Sequence, residues 1–478
     1  MRLHLAVVAV AVVAVWPALL SDASAAAAPA TTDAVGGTWG TALEVPGIAV
    51  LDHGGSSDLR SVSCGSAGNC AAGGDYHIPS GPEQAFVVNQ VNGTWHTALE
   101  VPGIAALNAG KVAGIYTVSC AAAGSCSAGG FYHDASGRAQ GFVVSEKNGT
   151  WGTALKVPGL AVLNTGGNAG VSSVSCASAG NCSAGGAYKD GSGDQQVFVV
   201  NQVNGTWGKA REIPGTAALN QGGFAQVFSL SCGAAGNCAA GGKYADAHPH
   251  LRAFVASEKN GTWGTAQQVP GTAALSPRGD SAVSSVSCPA AGACTAGGFA
   301  GTHPFVITEA KGMWGTATVV PGKAVLNWRA AGVGAVSCAS AGNCSAGGDY
   351  ADASAHSHVF VVGQVNGTWH TALEVPGTAA LNTGGNALIY SLSCGAAGNC
   401  STGGFYQDSA THLQAFVASQ VHGTGGTAQQ VPGIAALSQG GNSLLWSVSC
   451  ASAGNCSAGG NYDVNSAHQQ AFVVSEAT

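Results

Sequence analysis

The chain has 478 residues, of which 74 are Gly and only 8% are charged, where about a quarter is usual for soluble domains. Lys+Arg 16 against Asp+Glu 23 gives a net charge of −7, which excludes polyanions such as nucleic acid or an anionic membrane surface as partners. Recurring Trp, Val and Cys exclude disorder, so the composition is that of a Gly-rich, all-β protein.

In chain order the first feature is a leader. Met1-Arg2 precedes the apolar run Leu5 to Leu20 and then Ser21-Asp22-Ala23-Ser24-Ala25. These are a positive n-region, an apolar h-region and an Ala-x-Ala cleavage site. We expect residues 1–25 to be a signal peptide, 26–34 a disordered linker and 35–478 a single folded unit. Export would place the 16 cysteines in an oxidising compartment, where such pairs read as disulfides rather than as zinc ligands or thiol nucleophiles. The expectation is a secreted, extracellular and monomeric protein, without cofactor or metal. After residue 30 no apolar run reaches the length of a membrane span.

Next comes a lone segment, Gly37-Thr38-Trp39 through Val45-Pro46-Gly47, followed by eight copies of one unit. The first cysteine of each copy is Cys64, Cys120, Cys176, Cys232, Cys288, Cys338, Cys394 or Cys450. Each has a partner six residues on: Cys70, Cys126, Cys182, Cys238, Cys294, Cys344, Cys400 and Cys456. The spacing between copies is 56 residues except for one of 50, between Cys288 and Cys338. The unit reads Ser-Val-Ser-Cys-x-x-Ala-Gly-Asn-Cys-x-Ala-Gly-Gly-x-Tyr, a polar loop, Ala-Phe-Val-Val, Asn-Gly-Thr-Trp-Gly-Thr-Ala, Val-Pro-Gly and a Gly-rich loop.

Four strands are predicted in each copy. In the first they are strand a around Ser61–Cys64, strand b over Cys70–Tyr76, strand c over Ala85–Gln90, and strand d from Trp95 towards Val101-Pro102-Gly103. Ala-Gly-Asn joins a to b. Asn-Gly joins c to d at Asn92, Asn148, Asn204, Asn260 and Asn366, which signals a type I′ hairpin. The lone segment is a d strand with nothing before it, and the last copy stops after strand c at Ala471-Phe472-Val473-Val474. The strands balance if the N-terminal d strand completes the last blade. The prediction is an eight-bladed β-propeller of four-stranded antiparallel blades, its ring closed by that pairing.

Each Cys pair spans a hairpin, where a local disulfide closing so short a loop contributes about 2 kcal/mol. Trp39, Trp95, Trp151, Trp207, Trp263, Trp314 and Trp369 share one position, replaced by Gly425 in the seventh copy. A periodic Trp of this kind reads as a wedge between blades rather than as a sugar platform. Asn-Gly-Thr is formally a glycosylation sequon, but the hairpin already accounts for it.

The Gly-Thr-Trp hairpin resembles the Asp-box, or bacterial neuraminidase repeat, whose pattern is Ser-x-Asp-x-Gly-x-Thr-Trp. Ser145-Glu146-Lys147-Asn148-Gly149-Thr150-Trp151 keeps the Ser, Gly, Thr and Trp, lacks the Asp and is one residue shorter. The whole unit is also similar to Cys-paired propeller repeats of exported actinobacterial proteins. The resemblance covers nearly all of the chain after the leader. It implies a propeller of that type and carries over no catalytic residue.

The b–c and d–a loops gather the variation on one face, which is where binding belongs on a rigid scaffold. Four residues before each first cysteine stand Arg60, Tyr116, Ser172, Phe228, Ser284, Gly334, Tyr390 and Trp446. Aromatics and an arginine there could ring the channel mouth and stack on a sugar. The opposing reading is packing between blades, because the position shares parity with the Val two residues on. In the b–c loops Asp134, Asp190, Asp246, Asp352 and Asp408 read as turn caps. His248 and His250, like His356 and His358, form His-x-His pairs that read as solvated loop rather than metal ligands. Arg278-Gly279-Asp280 matches an adhesion tripeptide, a chance match in a Gly-rich loop.

No nucleophile elbow, Walker A, His-Glu-x-x-His or EF-hand pattern occurs. The arginines after the leader are scattered over different repeat positions, whereas a glycosidase of this fold needs paired carboxylates and an arginine cluster. The break in symmetry is a six-residue shortening assigned to the fifth b–c loop, followed by Asn327-Trp328-Arg329. The expected ligand-binding candidates are therefore Arg60, Tyr116, Phe228, Tyr390, Trp446, Trp328 and Arg329, with an extracellular carbohydrate or protein as partner. The alternatives are a divergent glycoside hydrolase and a passive extracellular structural protein.

Overall fold

A computed structural model describes residues 37–248, 250–465 and 468–477. The predicted signal peptide and linker lie outside the described residues. The described chain forms eight antiparallel sheets, each with strand order a-b-c-d. In the first blade strand a is Ser56–Ser66, b is Asn69–His77 and c is Glu83–Val91. The eighth blade takes its d strand from the N-terminal segment, Thr38 opposite Ala477 and Leu43 opposite Val473. The eight-bladed propeller and its closure therefore stand as the strand balance required.

The c–d hairpins turn through two positive φ angles, 48° at Asn92 and 83° at Gly93, the type I′ geometry for which Asn-Gly is suited. Lys311-Gly312 and His422-Gly423 adopt the same turn where Asn is absent. All eight disulfides join the two cysteines of one hairpin, as in Cys64–Cys70, whose Cα atoms are 3.9 Å apart.

Three series of hydrogen bonds link neighbouring blades, the outermost of them in five of the eight described blades. The Val118 and Cys120 N–H groups donate to Ser61 and Ser63 Oγ, both at 2.9 Å, and Val62 and Cys64 close the ring on Ser447 and Ser449. The Ser-Val-Ser signature of strand a is thus a clasp between innermost strands, its Val buried and its serines bridging. On the periphery the Trp151 indole N–H donates to Asn89 Oδ1 at 2.9 Å, and Trp39 donates to Ser419 Oγ at 3.0 Å. The wedge reading of the periodic Trp is correct. The third series involves strand d and corrects the predicted element.

Strand d is not continuous but two short pieces, Thr94–Trp95 and Leu99–Glu100 in the first blade. Between them the Ala98 N–H donates at 2.7 Å to Pro46 O of the preceding blade, and Ala42 does the same to Pro432 to close the ring. The Gly-rich d–a connection also contains a single helical turn, such as Ile104–Leu107. Gly103 enters it at φ 78° and Ile104 is wholly buried. The fifth blade loses five residues from its b–c hairpin, whose strands Ala293–Ala300 and His303–Ala310 are joined by two residues. The sixth missing residue comes from the d–a connection.

Strand a carries the correction that matters for function. Leu59 pairs with Gly74 and Ser61 with Gly73, leaving Arg60 unopposed. The same β-bulge recurs in all eight described blades, always at the position of Arg60. A bulge breaks period-2 alternation and re-aims its side chain. The parity argument for interblade packing therefore fails: Val62 is buried, while Tyr116 is 45% and Tyr390 37% exposed. Gly74 makes the bulge possible, since a Cβ there would lie 1.8 Å from Asp58 O.

Candidate functional site: the channel mouth

The bulged residue meets the variable residue that follows Gly-Gly in strand b. Arg60 Nε lies 3.2 Å from Asp75 Oδ1, and its Nη2 lies 3.3 Å from Asp58 Oδ2. Tyr116 stacks on Phe131 with centroids 5.1 Å apart and planes at 21°. The Lys243 ammonium sits 5.2 Å from the centre of the Phe228 ring. Tyr390 approaches Phe405 at 5.7 Å, and the Trp446 indole N–H donates to Asn461 Oδ1 at 2.9 Å. Around the ring, the rings of Tyr390 and Trp446 come within 4.5 Å of each other across two blades.

The mouth thus carries eight pairs rather than eight single positions. Sequence reading missed Asp75, Phe131, Ala187, Lys243, Phe299, Asp349, Phe405 and Asn461, half of the constellation. Their signal was the preceding Gly-Gly, because Gly inside a strand marks a bulge or a close backbone approach.

The mouth is divided chemically. In the first blade burial pushes the Asp75 carboxyl up to about 7, with Arg60 opposing and Asp58 and Glu83 adding to the rise. Burial also raises Asp58 and Glu83. In the sixth blade burial pushes Asp349 up to about 6 beside Gly334. In the third blade both members of the pair are small, Ser172 and Ala187. A recess of about 340 Å³ opens over them, walled by Tyr116 and Phe131 on one side and reached by Gln195 and Gln226 on the other.

The remaining candidates fall elsewhere. Trp328 is 2% exposed and stacked on Phe360 at 6.4 Å, so it belongs to the core of the sixth blade. Arg329 is exposed at the entry to strand a of that blade, away from any bulge position. The loop aspartates cap their turns: Asp134 Oδ1 accepts from Ser136 N and Arg138 N, and Asp190, Asp246, Asp352 and Asp408 repeat the pattern. His248 and His250 take part through their backbone N–H groups. Asp280 of the Arg-Gly-Asp triplet accepts from Leu251 N at 2.9 Å, and the following Ser281 is buried. Among the described residues no helix is long and apolar enough to cross a membrane.

No family model matches the chain, and no curated protein matches it. Among solved structures it is similar to the Hadza microbial sialidase Hz136, at 10% identity over 91% of this chain and 68% of that one, with a TM-score of 0.38. It is similar to YCF48 from Cyanidioschyzon merolae at 11% identity over 92% and 99% of the two chains, TM-score 0.38. The fucose-specific lectin from Aleuria aurantia aligns at 12% identity over 65% and 93%, TM-score 0.32. At these identities the likeness is one of fold.

Proposed function

We propose that the protein is a secreted, monomeric binding module that recognises an extracellular carbohydrate or protein through the b–c/d–a face. One observation carries this reading: every described blade has a β-bulge at the channel mouth, which aims a side chain in all but the sixth blade, where Gly334 stands, and the residue at this position changes from blade to blade while the strands around it repeat. A passive structural ring needs neither the bulge nor the variation. Aromatic rings exposed beside polar groups suit the alternating apolar and hydroxyl faces of sugars.

The experiment is a glycan-array screen of the protein beside the double variant Tyr390→Ala/Trp446→Ala. Saturable binding that falls at least tenfold in the variant is expected. Absence of any glycan binding, with native near-UV circular dichroism, would overturn the carbohydrate reading and leave protein ligands and the passive ring.

A hydrolase remains the second reading because of Asp75, a partly buried acid raised to about 7 although Arg60 Nε lies 3.2 Å away. Such a group has the profile of a general acid at neutral pH. Sugar release from arrayed glycans that stops in Asp75→Asn would favour it.

A further inference from the structure

The recess over the third blade points to a ligand class. Resting on the binding-face reading above, we infer that this recess is a subsite for an uncharged pyranose sugar, stacked on Tyr116. Three properties of the lining converge on that chemistry.

The first is shape. At the mouth positions Ser172 and Ala187 the third blade carries small side chains, and Gly170 lies two residues before Ser172. Other blades fill the position of Ala187 with Phe131, Phe299 or Phe405. The void left is about 340 Å³, at the lower end of the range for small-molecule sites.

The second is the wall. Tyr116, 45% exposed, is stacked on the ring of Phe131, and both rings line the recess. A ring pinned in this way loses little entropy on binding, and it matches the apolar C–H face of a pyranose.

The third is charge and hydrogen bonding. Among the described residues no Asp, Glu, Lys or Arg lines the recess. On the outer loops Arg138 packs against Gly167 and Asp194 against Gly223, one charge of each sign. The charged group nearest Tyr116 is Arg60, already paired with Asp58 and Asp75, with Glu83 close by, so the sector beside the recess is net negative. An acidic sugar would find repulsion on that side; on the other, Lys243 opposite Gln226 lies over the Phe224 and Phe228 rings, and the one basic side chain in the lining is the imidazole of His133. Ser172 donates its hydroxyl proton to Val227 O at 2.7 Å, and Gln195 donates through Nε2 to Ala225 O at 3.0 Å. The lone pairs of Ser172 Oγ and the Gln195 side-chain oxygen remain to accept from sugar hydroxyls.

The test is calorimetric titration with methyl pyranosides of glucose, galactose, mannose and fucose, against glucuronic acid and N-acetylneuraminic acid. It compares the native protein with Ala187→Phe and Tyr116→Ala. Ala187→Phe installs a residue that three sister blades already carry, so the fold tolerates it while the recess fills. At least one neutral glycoside is expected to bind, the acidic sugars at least tenfold more weakly, and both variants to lose at least tenfold in affinity. Tighter binding of the acidic sugars would overturn the inference. So would neutral binding untouched by Ala187→Phe but abolished by Tyr390→Ala/Trp446→Ala, an outcome that keeps the binding face and removes this subsite. No binding of any sugar would overturn this subsite and, where the glycan array is also blank, the carbohydrate reading with it, leaving protein ligands for the binding face.

Discussion

Gly74 and Gly93 separate two reasons for glycine in this repeat. Gly93 sits at φ 83°, and a Cβ there would meet nothing within 4 Å. Gly93→Ala is therefore a purely conformational penalty of about 1–2 kcal/mol. Gly74 carries no such φ, but its Cβ would lie 1.8 Å from Asp58 O and 3.0 Å from Leu59 Cα. Backbone cannot step aside as a side chain can, so Gly74→Ala should cost more, at or above the top of the about 1–3 kcal/mol typical of overpacking. Urea denaturation of the two variants checks the order, and equal costs would mean that the bulge yields easily. The same comparison shows why half of the mouth was illegible in the sequence. Arg60, Tyr116, Tyr390 and Trp446 stood out by their size against a fixed background. Asp75 and Ala187 did not, because their role depends on a register that only the Gly-Gly contact reveals.

The interblade elements were legible where they rest on local chemistry and illegible where they rest on the neighbouring blade. Asn-Gly turns and Cys hairpins follow from residues close in sequence, and the offset d strand from the strand balance of the whole repeat array. The split of strand d does not, because it depends on Pro46 O of another blade capturing the Ala98 N–H. The periodic Trp allows a sharper argument. At its seventh position Gly425 stands instead, and the preceding blade offers Gly363 where Asn89 or Ser419 elsewhere accepts the indole N–H. The consequence shows in Val361, partly exposed while its described equivalents Val87, Val143, Val199, Val255, Val306, Val417 and Val473 are at most 3% exposed. A Cβ on Gly425 meets nothing nearer than Pro376 at 3.4 Å, and one on Gly363 meets nothing within 4 Å. Gly425→Trp with Gly363→Ser should therefore restore the wedge and its hydrogen bond and stabilise the ring by about 0.5–2 kcal/mol. A thermal melt reads this as a higher Tm, and a lower Tm would mean that the sixth and seventh blades have repacked around the gap.

For the whole molecule, stability should be highest at mildly acidic pH. In the fold Asp75 is raised from 3.8 to about 7 and Asp349 to about 6, both by burial. Burial also raises Glu146, Glu258, Glu309 and Glu476, the strand-c acids buried between blades. Between an ordinary carboxylate value and these raised ones the folded state binds more protons than the unfolded chain, so stability falls as pH rises through that window. The turn caps act in the opposite sense. Asp134 is held at about 2, first by the Ser136 hydroxyl and then by Gln140 and the turn N–H groups. Its contribution is present above the unfolded value of 3.8 and is lost as pH falls towards 2. The buried set favours acid and the caps forbid too much of it, which places the maximum near pH 5. Because every blade is clasped to its neighbours through Ser-Val-Ser and Ala-to-Pro hydrogen bonds, these local terms should be felt by one cooperative ring rather than by separate blades. Melting curves from pH 3 to 9 are expected to show a single transition whose Tm peaks near 5 and declines towards both ends. An increase in Tm from pH 5 to 8 would show that Arg60 outweighs burial at Asp75. Asp75→Asn distinguishes the two cases, since it should flatten the alkaline decline and leave the acid limb unchanged.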